Sequence, residues 1–514
     1  MNVTPSLLRP VLCGALLAAL PAQSLELDVA GGSLPGTLVL DAYPAAYPFE
    51  LMVIVPSSNA GPTPIQLFDP NDLRSLSIGL DMVSFAWPVL GDLTLHGTVQ
   101  VPIAAQPSLV DVPLFFQAVT LLWQPTLLGR LSNGNVVRFG LAGTFRDRAV
   151  TMMEERAFST ALVRADRSAL VIGGARGQLL AQVATATTDA YDAATDTFSY
   201  GPSMTTPRSM HTMTRLPDGR YLLCGGVNAT NDPQASCEIY DPVTDSFAAV
   251  ASMATPRMGH TANLLPNGLV LVTGGIEAMP VTPTQLEPIH NTVSSTELYD
   301  PATDTWSAGP SLTTPRAAHA AIVRPDDKIL FAGGISWDPL LFTWLPAVRS
   351  TCDLYDPATN TMTFGPSMAT ARALADPIQL APDRWLLAGG MNALSIIPFN
   401  PGNPTAAAEI YDATTNTWTS VGAMATARAN HMGWPLGNGR FLIAGGADNS
   451  ILSPSPLSST EIFDVATNTF SPGPMMSTGR AGASFVFAHQ GQVQVFGGAA
   501  TSTTITSGTE WYYF

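Results

Sequence analysis

Two kinds of charged residue recur along the chain at fixed spacings. Each of seven arginines stands 17 positions before a Gly-Gly pair, and each of seven acids stands two positions before an aromatic residue. The arginines are Arg156, Arg208, Arg257, Arg316, Arg372, Arg428 and Arg480. The acids are Asp189, Glu238, Glu297, Asp353, Glu409, Glu461 and Glu510.

These charges allow two kinds of chemistry. A ring of arginines suits an anionic ligand, but a guanidinium and a carboxylate also pair in planar, bidentate geometry inside a fold. A ligand lacks sevenfold symmetry, whereas a structural device recurs in every repeat. The matched numbers therefore favour ion pairs between strands, with ligand contact left to one or two arginines. The candidates for that contact are Arg208, Arg257, Arg316 and Arg428.

Residues suited to catalysis or metal binding are few, and most belong to the repeat. Four of the seven histidines follow a repeat arginine by three positions, namely His211, His260, His319 and His431. The irregular candidates for a metal site are His290 and His489. Asp300 and Asp304 lie in a DPATDT turn, where such side chains bond backbone amides rather than calcium. With no HExxH, GxSxG or phosphate-loop motif, we predict no catalytic residue, no metal and no cofactor.

The segments that vary in length all lie between a Gly-Gly pair and the next repeat aromatic residue. Several are unusually apolar for loops, and the aromatic residues among them are Trp337, Phe342, Trp344 and Phe399. Exposed aromatic side chains on loops over a rigid scaffold favour a binding surface. The alternative is that these loops pack on one another or beneath the N-terminal part of the chain.

The fixed blocks beside these loops predict four short β-strands in each repeat, which we name A to D in chain order. Strand A follows the arginine, and a turn such as LPDGR or LPNGL leads into strand B, which ends at Gly-Gly. Strand C carries the repeat aromatic residue, and strand D follows the next turn. Because the strands run alternately, the D-to-A and B-to-C connections emerge on one face, which we call the loop face.

Four features together resemble a known repeat: Gly-Gly ending strand B, Tyr in strand C, Trp in strand D, and arginine followed three residues later by histidine. They are similar to the kelch repeat, a family of β-propellers, over residues 143–514. The resemblance implies an all-β fold with a seven-bladed kelch β-propeller, whose blades pack around an axis.

The same resemblance raises the question of copper. Secreted kelch propellers include copper-radical oxidases similar to galactose oxidase, which use two Tyr, two His and a Cys joined to one Tyr. This chain has no Tyr-His dipeptide, and most of its Tyr and His residues occupy repeat positions. We therefore expect no copper site.

The seventh repeat stops short of a fourth strand. Phe514 ends the sequence two residues after Tyr512, whereas residues 143–150 stand just upstream of Arg156, where a preceding strand D would lie. We predict that residues 143–150 complete blade seven. Their hydrogen bonds to the C-terminal strand would close the ring and protect its sheet edges.

Patterning outside the repeats predicts two further segments. Residues 1–24 have the features of a secretory signal, with Arg9 ahead of an apolar run. Residues 25–140 show apolar or alternating runs broken by Pro and Gly, which predicts a small β-sandwich-like domain before the propeller at residues 141–514. No later stretch is apolar over the ~20 residues of a membrane span, so we expect no membrane insertion after signal cleavage.

Charge and cysteine usage narrow the function. A net charge of −16 disfavours nucleic acid and anionic lipid as partners. We expect a monomer that is secreted, at the cell surface or periplasmic, and that binds an extracellular protein or glycan without catalysis. A carbohydrate-active enzyme using the loop face is the alternative. Cys224, Cys237 and Cys352 are expected as small core residues, with a Cys224–Cys237 disulfide left open.

Overall fold

The computed structural model describes residues 140–514, except 165, 179–180, 194, 279–290, 341–342, 397–398, 450–452 and 490–491, together with the earlier strands named below and Val110. The regular elements of this described part are β-strands. It contains no helix long and apolar enough to cross a membrane. Backbone contacts divide the chain into two compact units, residues 1–141 and 142–514. The predicted signal at residues 1–24 lies outside the described residues.

The second unit contains seven four-stranded antiparallel sheets, which are the blades of a β-propeller. Blade 1 comprises Thr160–Val163, Ala169–Ile172, Thr188–Asp192 and Thr197–Tyr200. Blade 2 comprises Thr212–Arg215, Tyr221–Cys224, Cys237–Asp241 and Ser246–Val250. Blade 3 comprises Thr261–Leu264, Val270–Thr273, Thr296–Asp300 and Thr305–Ala308.

The remaining blades repeat this order. Blade 4 comprises Ala320–Val323, Ile329–Ala332, Cys352–Asp356 and Thr361–Gly365. Blade 5 comprises Ile378–Ala381, Arg384–Ala388, Ala408–Asp412 and Thr417–Ser420. Blade 6 comprises Met432–Gly437, Arg440–Ala444, Thr460–Asp464 and Thr469–Pro472. Blade 7 comprises Ser484–His489, Gln492–Phe496, Thr509–Tyr513 and Thr144–Arg148.

Blade 7 takes its fourth strand from the start of the propeller, which confirms the prediction about ring closure. Thr144–Arg148 pairs antiparallel with Thr509–Tyr513. Within this closing strand, Arg148 lies 4.5 Å from the centre of the Trp511 ring and forms a 2.5 Å ion pair with Asp196 of blade 1. The closing strand therefore connects blade 7 to blade 1 by side chains as well as by backbone hydrogen bonds.

Strand B carries most of the core of each blade. All four residues are buried in Ala169–Ile172, Val270–Thr273 and Ile329–Ala332. The blades share side chains across their interfaces, as where Leu330 of blade 4 and Trp385 of blade 5 occupy one buried cluster. Strand A is innermost, because A strands of neighbouring blades contact one another. We call the space that the A strands enclose the channel.

The turns between strands C and D confirm the prediction made for their acids. The Asp300 carboxylate accepts the backbone N–H of Ala302 at 2.9 Å. Asp304 has a φ of 51°, and its carboxylate accepts the hydroxyl of Tyr299 at 3.0 Å. Asp300 therefore caps its own turn, and Asp304 connects that turn to strand C and to the backbone N–H of Ala251, which follows blade 2.

The first unit contains two larger sheets. One joins Glu26–Ala30, Gly36–Tyr43 and Gly97–Ile103. The other joins Leu128–Leu131, Pro113–Leu121, Leu51–Ser57, Trp87–Leu90 and Asn135–Arg138. Two small pairs join Ala60–Pro64 to Ser75–Ile78, and Ser33–Leu34 to Gly140–Leu141. Side chains from both larger sheets, such as Leu40 and Phe116, occupy one buried core.

Candidate functional site

The Gly-Gly pairs allow neighbouring blades to approach closely on the loop face. In each pair the second glycine donates its N–H to the carbonyl of the next blade's repeat arginine, as Gly226 does to Arg257 at 2.8 Å. The last of these bonds, from Gly498 to Arg156 at 2.7 Å, joins blade 7 to blade 1. A Cβ on Gly225 would lie 2.5 Å from the Arg257 oxygen, so this position needs glycine. The pair therefore belongs to the joint between blades.

All seven predicted ion pairs are present. Their shortest nitrogen-to-oxygen distances run from 2.6 Å in Arg156–Asp189 to 3.1 Å in Arg208–Glu238. The others are Arg257–Glu297, Arg316–Asp353, Arg372–Glu409, Arg428–Glu461 and Arg480–Glu510. Each arginine side chain is at most 1% exposed. The prediction that these charges act as struts between strands is confirmed.

Each arginine and its acid connect three parts of one blade. In blade 2, the Arg208 Nη1 donates to the carbonyls of Gly225 and Ser236. The Glu238 carboxylate accepts the Arg208 Nε and Nη2, and also the backbone N–H groups of Thr205 and Thr206. Strand B, strand C and the incoming connection are thus fixed by one pair of charges.

The four arginines predicted as possible ligand contacts are fully buried. Arg208, Arg257, Arg316 and Arg428 are each 0% exposed. Burial lowers the pKa of Arg257 and Arg428, which their acids oppose. Because their guanidinium groups do not reach the surface of the blades, we do not include them in the surface considered for binding.

A ring of left-handed residues forms the mouth of the channel on the loop face. Each member stands two positions after a repeat arginine, and all are half-buried with φ between 50° and 61°. We call this set the mouth ring: Phe158, Met210, Gly259, Ala318, Leu374, Asn430 and Gly482. Its backbone groups bond from blade to blade, for example from Leu374 N–H to Ala318 O and from Asn430 N–H to Leu374 O, both at 3.0 Å.

The mouth ring was missed by the sequence analysis. A left-handed backbone is costly for most residues, so glycine and asparagine at a fixed repeat position are a signal for it. Gly259, Asn430 and Gly482 carried that signal. The bulky residues at the equivalent positions in other blades obscured it.

The four repeat histidines lie directly below the mouth ring and are buried. His211, His260 and His319 each bond through Nε2 to a threonine hydroxyl of the preceding blade, at 3.0 Å in every case. Burial lowers the pKa of His211, His260 and His431 to about 3, aided by the nearby repeat arginines. These histidines are therefore neutral at physiological pH.

Three of the elastic loops form β-hairpins that stand on the loop face. They are Ala175–Gln178 with Ala181–Ala184 in blade 1, Ile335–Leu340 with Thr343–Val348 in blade 4, and Met391–Ile396 with Phe399–Pro404 in blade 5. The hairpins of blades 4 and 5 contact each other. We call these three hairpins the crown.

The aromatic residues predicted to bind a ligand lie in different surroundings within the crown. Trp337 is 8% exposed and packs with Ile335, Ala373 and Met391. It is a packing residue of the crown, which corrects its assignment as an exposed ligand contact and fits the alternative that these loops pack on one another. Trp344 lies opposite Pro339 and Phe399 opposite Ile396, near the hairpin tips; their side chains lie outside the described part.

Phe342 also lies outside the described residues, as do His290 and the side chain of His489. Among the side chains that the structure does describe, there is no group of three or more His, Cys, Asp and Glu residues that could hold a metal ion.

The blades, the paired charges and the mouth ring define a seven-bladed β-propeller, whose repeats resemble the kelch repeat. No protein-family model matches the chain, and no curated protein does. Among solved structures it is similar to a fungal alcohol oxidase of the AA5 family in complex with copper, at 15% identity and a TM-score of 0.54, covering 73% of this chain and 76% of that one. It is also similar to YjhT, at 16% identity and a TM-score of 0.44, covering 60% of this chain and 95% of that one. At this identity the likeness to the oxidase shows the propeller fold alone.

Proposed function

We propose that this protein is a secreted or cell-surface binding protein that uses the crown to hold an extracellular protein or glycan. The crown carries the proposal, since two hairpins of adjacent blades stand side by side on one face of the propeller. Binding residues are commonly carried by loops on a rigid scaffold. The scaffold is rigid here because each blade joins the next through a Gly-Gly bond to an arginine carbonyl.

A second part of the crown faces the first across the channel. The blade 1 hairpin bonds to loops on both sides: Gln178 pairs with Thr504 of blade 7, and Asn231 of blade 2 donates to the Gln182 carbonyl at 3.0 Å. In a ring of seven, blade 1 stands opposite blades 4 and 5. The described hairpins therefore flank the mouth ring on two sides, and an extended ligand that crosses the ring could contact both.

The buried charges of the repeat have structural partners, which supports binding over catalysis. The arginines, their acids and three of the histidines are bonded within or between blades. A glycosidase would instead require two facing carboxylates in a cleft.

We also propose that the protein is exported through the signal at residues 1–24 and that it is a monomer.

The experiment is a glycan array and a cell-surface binding assay with the secreted protein. The test variant replaces residues 336–347 of the blade 4 hairpin by a two-residue turn. The control variant is Arg220→Ala, in the A-to-B turn on the opposite face of blade 2. We expect at least tenfold weaker binding for the hairpin variant and no change for the control. Hydrolysis or oxidation of an array glycan, or equal binding by both variants, would contradict the proposal.

A further inference from the structure

One of the four repeat histidines lacks the bond that the other three make. His431 is 5% exposed, yet neither of its ring nitrogens has a hydrogen-bond partner in the described structure. Its equivalents His211, His260 and His319 bond to threonines that stand four positions after an arginine in the preceding blade. A buried polar group without a partner is costly and calls for an explanation.

The position that should serve His431 is occupied by an acid. Asp376 stands four positions after Arg372 in blade 5, where the three other blades have Thr160, Thr212 and Thr261. Pro377 follows it, and strand A of blade 5 begins only at Ile378. Proline has no N–H for the ladder and forces the preceding residue into an extended conformation, so Asp376 is released from the strand.

Asp376 is exposed to solvent although it belongs to the innermost part of its blade. Enough protein surrounds it for burial to raise its pKa. Both observations fit a side chain that faces the channel, because a narrow channel admits water between closely spaced walls. No described arginine or lysine forms an ion pair with Asp376, and the neutral His431 supplies no charge to it.

The surroundings restrict the kind of ligand. Leu374 of the mouth ring stands two residues before Asp376, and its ring neighbours are the apolar Ala318 and the polar Asn430. A carboxylate accepts hydrogen bonds and favours a positive charge, while a neutral imidazole offers one lone pair. Protein ligands for a metal ion number only two here, fewer than a stable metal site requires.

We propose that Asp376 and His431 form a channel site for a protonated primary amine, from a small alkylamine or from a lysine side chain of a partner. The ammonium group donates to the Asp376 carboxylate and to one ring nitrogen of His431. The carbon chain of the amine lies against Leu374 and Ala318 of the mouth ring. This site goes beyond the proposed function and does not depend on the crown hairpins.

The test is calorimetric titration of the full chain with three probes: phenethylamine, 2-phenylethanol as its uncharged counterpart, and N-acetyl-lysine methylamide. The variants are Asp376→Thr, which introduces the residue found in blades 1 to 3, and Asp376→Asn, which removes the charge alone. Asp218→Asn, in an exposed turn of blade 2, is the control. Thermal unfolding accompanies each titration.

We expect the amine to bind wild type and Asp218→Asn, and the alcohol not to bind. Asp376→Thr and Asp376→Asn should lower amine affinity at least tenfold, and Asp376→Thr should unfold at or above the wild-type temperature because threonine completes the bond to His431. Binding of the lysine probe as well would extend the site to a partner's lysine. Absence of amine binding, or unchanged affinity in both Asp376 variants, would overturn the proposal whatever the crown binds.

Discussion

At the scale of single residues, each repeat arginine joins the strands of its blade through a buried ion pair and bonds to backbone carbonyls. The Arg257 side chain is 0% exposed and bonds the carbonyls of Gly274 and Ser295 as well as Glu297. We expect Arg257→Ala to lower the free energy of unfolding by about 2–4 kcal/mol, because Glu297 would be left as an unpaired buried acid. Denaturant unfolding measures this. Arg220→Ala is the control: its ion pair with Asp218 is 37% and 46% exposed, so we expect a loss within about 1 kcal/mol.

The buried histidines make stability depend on pH. Burial lowers the pKa of His211, His260 and His431 to about 3, below the value near 6.5 of the unfolded chain. Their contribution is therefore fully present above pH ~6.5 and is lost as pH falls from there towards 3. We expect denaturation midpoints to fall steadily below pH 6.5, and less steeply in His260→Gln. Native resonances assigned to these three histidines that titrate near pH 6.5 would contradict this.

The thiols are expected to be inert in the folded protein. Cys224 lies directly opposite Cys237 on adjacent strands, and both are free and buried. Burial raises the pKa of the Cys224 thiol well above its ordinary value, and raises that of Cys352 to about 11. Maleimide should label these three cysteines only after unfolding. A mass about 2 Da below that of the fully reduced protein, with Cys352 as the single one of the three that maleimide labels after unfolding, would show a Cys224–Cys237 disulfide instead.

At the scale of strands and connections, the Gly-Gly pair is the element that joins blades. A Cβ on Gly225 would meet the Arg257 carbonyl at 2.5 Å and His260 Cε1 at 2.7 Å, whereas a Cβ on Gly219 would meet nothing within 4 Å. Both glycines have positive φ, 60° and 89°. Because alanine is strained at positive φ, each change to alanine should lower the free energy of unfolding by about 1–2 kcal/mol. We expect Gly225→Ala to lower it by about 1–3 kcal/mol more, because the added Cβ would overpack against blade 3. Equal denaturation midpoints for the two variants would show that Gly225 is not needed for close contact between the blades.

Strands and ion pairs were predictable because they depend on spacing that repeats. The strand C acids and the arginines could be paired from their equal numbers alone. What spacing does not show is how one blade contacts the next. The mouth ring and the proximity of Gly225 to an arginine carbonyl both arise from tertiary packing, and Trp337 was misjudged because an apolar loop can bury its aromatic residue by folding into a hairpin.

Asp376 differs from these features, because its departure from the repeat is visible in the sequence but did not by itself indicate a site. The dipeptide Asp376–Pro377 interrupts a position held by threonine in three other blades. Only the structure shows what the threonines do, and therefore what the aspartate leaves undone at His431.

At the scale of the whole molecule, ring closure depends on a strand supplied from the other end of the propeller. Removing the last five residues, 510–514, deletes most of the partner of Thr144–Arg148 and the acid that pairs with Arg480. It also leaves Gln492–Phe496 as an open sheet edge, which invites aggregation. We therefore expect the truncated protein to unfold at a markedly lower temperature and to aggregate at concentrations where wild type does not.

Two controls distinguish the loss of ring closure from other effects of changing the C-terminus. Adding a five-residue Gly-Ser extension after Phe514 alters the terminus while keeping the Thr144–Arg148 pairing intact. A second variant, Arg480→Ala, removes the ion pair alone and keeps the strand. Because closure restrains every blade through the arginine-carbonyl bonds that run around the ring, truncation should lower the melting temperature more than Arg480→Ala, and the extension should leave it unchanged. If truncation lowers the melting temperature no more than Arg480→Ala does, the blade interfaces hold the ring together and the closing strand contributes little to its stability.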